Sequence, residues 1–97
     1  MDEQTVELAA RAHAQSIIDG DLGTTVRSMT PDGLAKAVEV GNSSWSFSSY
    51  ELTAHEQDGD DHLFDIAYQT DLGPMLLRDR FRLIDGVWKV VDVVRVD

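Results

Sequence analysis

The feature that most constrains this chain is the pair Asp85-Gly86, set between two runs whose apolar residues alternate. Both central residues of a two-residue hairpin turn of this kind take positive φ, which aspartate tolerates and glycine favours. The pair therefore predicts two antiparallel strands, 75–84 and 87–96. If Ile84 and Val87 flank the turn, Leu83 faces Trp88, Phe81 faces Val90, and Asp79 faces Asp92. Two carboxylates then oppose each other on an otherwise apolar face. If the turn is instead the three residues Ile84-Asp85-Gly86, Leu83 faces Val87 and Asp92 moves to the outer face. The last strand is apolar on both parities, so periodicity leaves both registers open.

The same period of two extends upstream. Phe64, Ile66, Tyr68, Thr70 and Leu72 share one face of a strand over 62–72, and Asp65, Ala67 and Gln69 share the other. In the next strand Met75, Leu77, Asp79, Phe81 and Leu83 alternate with Leu76, Arg78, Arg80, Arg82 and Ile84. A first strand over 45–56 changes parity between Trp45, Phe47 and Tyr50, Leu52, Ala54, which predicts a bulge near Ser48-Ser49. Before Gly41 the period is helical. Val6, Ala9, Ala10, His13 and Ile17 line a helix over 2–19 that Gly20 ends, and Asp21 caps a second over 21–29 presenting Leu22, Val26 and Met29. Thr30-Pro31 reads as N-cap and first residue of a third, 31–40, with Leu34 and Val38 on one face. Helices followed by a meander of strands predict an α+β fold: helices packed on one face of a curved antiparallel sheet of about four strands, in a single domain over 1–97.

A net charge of -10 repels phosphate backbones and anionic lipid, so neither nucleic acid nor a membrane surface is expected as a partner. With no cysteine among 97 residues, the core alone must hold the fold, and thiolate chemistry is excluded. No stretch has the length of a signal or transmembrane segment, and a cytoplasmic location is expected. His55 and His62 flank the acidic turn Gln57-Asp58-Gly59-Asp60-Asp61, but no histidine pair has helical ligand spacing; no metal site and no cofactor are expected.

Gly20-Asp21-Leu22 after an amphipathic first helix, Thr30-Pro31-Asp32, and a late run ending Asp85-Gly86-Val87-Trp88-Lys89-Val90-Val91-Asp92 make the chain resemble the nuclear transport factor 2-like superfamily. The resemblance implies a curved sheet wrapped around a long helix, a cone with a pocket at its open end, and dimers through the outer face of the sheet. Functions in that superfamily range over ketosteroid isomerases, polyketide cyclases, dehydratases, hydrolases and transport factors. This chain is shorter than members commonly are, and the short strand usual between the helices is not evident in it.

The candidate site is built from the two hairpins. With Gly73-Pro74 as a turn flanked by Leu72 and Met75, Tyr68 faces Asp79 and Asp65 lies beside Arg82. Tyr68, Asp79 and Asp92 then stand side by side, with His13 of the first helix above them and Trp45, Ile66, Phe81 and Trp88 as pocket walls. Opposed carboxylates on a desolvated face cannot both ionise cheaply, so one acid is held protonated and the other is free to act as a base. A single buried acid satisfied by Tyr68, Trp45 or the backbone is the structural alternative. Arg78, Arg80 and Arg82 with Val91 and Val93 are expected on the outer face, as a homodimer contact. The leading expectation is a dimeric domain with an apolar pocket for a small apolar ligand. Its alternatives are an acid/base isomerase or cyclase using Asp79 and Tyr68, and a protein-interaction or regulatory subunit.

Overall fold

The computed structural model describes residues 2–41 and 46–96; Trp45 lies outside them. Helices α1 (Asp2–Asp19), α2 (Leu22–Arg27) and α3 (Pro31–Gly41) precede strands β1 (Phe47–Asp58), β2 (Asp61–Thr70), β3 (Gly73–Ile84) and β4 (Val87–Arg95). The strands form one antiparallel sheet in the order β1-β2-β3-β4, and the helices pack on one face of it. The architecture is the expected α+β arrangement. Among the described residues no helix is long and apolar enough to cross a membrane.

Helices α2 and α3 start where a side chain can replace a missing backbone partner. Asp21 accepts a hydrogen bond from the Thr24 N–H at 3.3 Å and opens α2, while the Thr30 hydroxyl accepts from the Gly33 N–H at 3.1 Å and opens α3 at Pro31. Gly33 is where α3 meets β4. A Cβ there would lie 2.2 Å from the Val90 carbonyl oxygen, so only glycine lets the two backbones approach this closely. In α1 the inward line is Val6, Ala10, His13 and Ala14, whose small members let the helix lie low over the sheet.

Between α2 and α3 the chain is briefly extended, a feature the sequence reading missed. The Val90 N–H donates to the Ser28 carbonyl at 2.8 Å and the Thr30 N–H donates to the Val90 carbonyl at 2.9 Å, making a parallel bridge between Met29 and Val90. This bridge covers part of the edge of β4.

The last hairpin has the two-residue turn, with Asp85 at φ 52° and Gly86 at φ 80°. Ile84 pairs with Val87, Leu83 with Trp88 and Phe81 with Val90. Beyond that point the register slips: Arg80 pairs with Asp92 and Asp79 with Val93, leaving Val91 as the extra residue of a bulge. The expected facing of Asp79 and Asp92 is therefore wrong, although the turn length on which it was made to depend is right. A bulge is tolerated here because β4 is apolar on both parities, and it falls beside Val90, whose backbone groups are engaged by Ser28 and Thr30. It turns Asp92 to the outer face and Val93 inward, where Val93 is buried, so Val93 also leaves the expected dimer surface.

The second hairpin is corrected as well. Its turn is Asp71-Leu72, flanked by Thr70 and Gly73, so Tyr68 pairs with Met75, Asp79 with Phe64, and Asp65 with Arg78 rather than Arg82. Side-chain bonds hold it there. Thr70 Oγ1 accepts from the Leu72 N–H at 3.1 Å and donates to the Gly73 carbonyl at 2.6 Å, while Asp71 Oδ1 accepts from the Ser46 N–H at 3.1 Å. The new register keeps the old parity, and Tyr68 and Asp79 stay on the concave face. In β1 a shift between Phe47 and Ser49 matches the expected bulge, and a second between Leu52 and Ala54 brings His55 opposite Phe64.

The core lies between α1 and the concave face. Phe64 and Phe81 meet edge to face with centroids 5.7 Å apart, and Ile66, Tyr68, Met75 and Val90 fill the space around them.

Candidate functional site

Beyond the packed centre, toward the β2–β3 turn, the concave face is not filled. A cavity of about 360 Å³ lies between the second half of α1, α2, the Met29 bridge, α3 and the sheet. Its walls are apolar: Ile17, Leu34 and Ala37 from the helices, Phe47, Leu77 and Val93 from the strands. Leu22 and Val38 also border it but are 74% and 60% exposed, which marks the mouth between α2 and α3. Three polar side chains, His13, Tyr68 and Asp79, border it while buried, and they form its floor.

The bonds around His13 define its tautomer. With the Ser28 hydroxyl proton assigned to the Thr25 carbonyl at 2.7 Å, the Ser28 oxygen, 2.6 Å from His13 Nδ1, accepts from an Nδ1–H. A neutral His13 then has a bare lone pair on Nε2, and that nitrogen lies 3.7 Å from Asp79 Oδ2. Burial pulls His13 down to about 4, so it is neutral at physiological pH. Burial also pushes Asp79 up to about 7. The two groups are close, yet both are driven toward their uncharged forms, because 3.7 Å is too long for the charge-assisted hydrogen bond that would offset desolvation.

Tyr68 completes the floor. Its hydroxyl is buried without a hydrogen-bond partner, and burial, with the nearby Asp79 charge adding to it, holds the phenol well above its ordinary range. An unpartnered buried hydroxyl costs about 1–3 kcal/mol, which a polar group that reached it would offset. Donor and acceptor capacity on the floor of an apolar cavity can orient a small molecule, and an acid held near neutrality can exchange a proton with it.

The expected site residues are thus distributed unevenly. His13, Tyr68 and Asp79 come together, whereas Asp92 lies on the opposite face of the sheet. Ile66 and Phe81 are fully buried but do not border the cavity. Trp88 lies away from it, edge-on to His62 at 5.3 Å. The walls the sequence reading missed are Leu34, Ala37 and Val38, whose spacing along α3 was the available signal, and Phe47 and Val93. Ser28, which orients His13, carried no signal of its own.

The arginines of the outer face are paired within the chain. Arg78 meets Asp65 at 2.7 Å, Arg80 meets Asp58 and Asp61 at 2.8 Å each, and Arg82 meets Asp61 at 2.9 Å. Arg82 and Arg80 together hold the Asp61 carboxyl below its usual range. Among the described residues no three histidine or carboxylate side chains converge as metal ligands. The chain matches no family model and no curated protein.

Proposed function

We propose that this chain is a small-ligand-binding domain of the nuclear transport factor 2-like kind, which takes a compact, largely apolar molecule with its polar group turned inward. The observation that carries the reading is the buried Tyr68 hydroxyl, unpartnered in a largely apolar cavity that Asp79 and His13 also border. The volume of about 360 Å³ is at the small end of ligand pockets, which suits a fused bicycle such as tetralin carrying one substituent. The test is an NMR titration of the protein with tetralone, tetralol and aminotetralin. Saturable shifts at Leu77, Asp79 and Val93 from at least one probe, lost in Ala37→Trp, are expected. Absence of such shifts with all three would overturn the reading.

A second reading, an acid/base isomerase or cyclase, is favoured by one feature: a carboxyl held near neutrality, bordering the same cavity as a free phenol. Asp79 as base would take a proton from the carbon next to a carbonyl, and the Tyr68 hydroxyl would donate to the developing oxyanion. Deuterium exchange at that carbon of tetralone, faster than in buffer and lost in Asp79→Asn, is the expected sign. Exchange no faster than in buffer leaves a binding domain without this chemistry.

The proposal includes a homodimer through the outer sheet face, using Arg78, Arg80, Arg82 and Val91, with Val94 in the place expected of Val93. What supports it is that Val94 is 41% exposed on a face whose arginines already have carboxylate partners. Such pre-paired charges cost less to desolvate than free ones.

A further inference from the structure

We propose that the polar group of the ligand is a protonated amine. This rests on the reading of the cavity as a ligand site and names the chemistry of its floor.

The groups facing Asp79 are His13 from α1 and Tyr68 from β2; α2, α3 and β4 contribute Leu22, Thr25, Leu34, Ala37, Val38 and Val93 to the walls. None of these is a cation at neutral pH. A carboxylate that ionises on this floor has no counter-ion in the protein, and among the described residues no lysine or arginine borders the cavity. An unpaired charge in an apolar site is costly until something that enters brings the opposite charge. The net charge of -10 adds a field that draws cations and repels anions.

The donor and acceptor inventory narrows the choice. His13 uses Nδ1 on Ser28 and turns a lone pair toward Asp79, so both of these neighbours are acceptors when Asp79 is ionised. A ketone or ether, itself only an acceptor, leaves Nε2 without a donor. A hydroxyl brings a single donor and no charge. A primary ammonium brings three donors and the missing positive charge, enough for the Asp79 carboxylate and for His13 Nε2, which lie 3.7 Å apart. Its apolar remainder faces Leu77, Phe47 and Leu34.

Binding of an amine also moves a proton. The ammonium selects the ionised form of Asp79, so the carboxyl gives up its proton to buffer as the complex forms. A ketone has the reverse preference, because it accepts a hydrogen bond from the protonated acid.

The experiment compares aminotetralin, tetralol, tetralone and tetralin carboxylate on the wild-type protein at neutral pH by calorimetry, in two buffers of different ionisation enthalpy. Aminotetralin is expected to bind roughly tenfold more tightly than tetralol or tetralone, with proton release, and the carboxylate most weakly. Asp79→Asn should abolish the preference for the amine over tetralol. Binding of tetralol or tetralone as tightly as the amine would overturn the amine assignment and leave the ligand site standing. Failure of every probe overturns the site itself.

Discussion

At the scale of single residues, the site joins a buried acid and a buried base whose charges are both suppressed. Asp79 holds its proton in the fold to about 7 against an ordinary 3.8, so its contribution to stability is present below 3.8 and is lost as pH rises through 7. His13 runs the other way: its folded value of about 4 lies below the ordinary 6.5, so its contribution is present above 6.5 and lost as pH falls through 4. Across most of that interval the unfolded chain carries one proton on His13 and the folded chain carries one on Asp79, and the two slopes cancel. Removing one partner exposes the other. Asp79→Asn, measured by urea unfolding, should gain on the wild type as pH rises from about 4 to about 8, by about 4 kcal/mol in all. A difference in stability that stays constant across that range would mean that Asp79 is not desolvated.

At the scale of elements, the close approach of α3 to β4 depends on Gly33. Gly33→Ala drives a methyl onto the Val90 carbonyl, and the expected loss is about 3 kcal/mol in chemical unfolding. A loss below about 1 kcal/mol would show that α3 can shift without cost. The same region explains what the sequence disclosed and what it did not. Period and turn chemistry were legible: Asp85-Gly86 made the expected turn, Thr30-Pro31 opened α3, and the parity change in β1 marked a bulge. The bulge at Val91 was not legible, because apolar residues on both parities of β4 satisfy either register and the Ser28–Thr30 bridge that meets Val90 is a long-range contact. For the site the consequence was large. One slipped residue removed Asp92 from Asp79 and put Val93 there instead, turning an apparent carboxylate dyad into a single acid. His13 could be placed on the inward face of α1 from spacing alone, but its tautomer comes from Ser28, fifteen positions away in sequence.

At the scale of the whole molecule, three helices on one face of a four-stranded sheet leave a cavity at one end and an exposed sheet face opposite. The outer face carries the proposed dimer. Val94→Lys should therefore halve the molecular mass seen by light scattering without altering the cavity, and an unchanged mass in that variant, or a wild-type monomer, would remove the dimer. The cavity carries the proposed function, and its central claim is that Asp79 is a lone buried acid facing a ligand site. A carbon NMR titration of the Asp79 carboxyl, in the wild type and in Asp92→Asn, tests this most directly. A single midpoint at about 7 is expected in both proteins, because Asp92 lies across the sheet. An ordinary carboxyl midpoint near 3.8, or one that falls when Asp92 is neutralised, would contradict it.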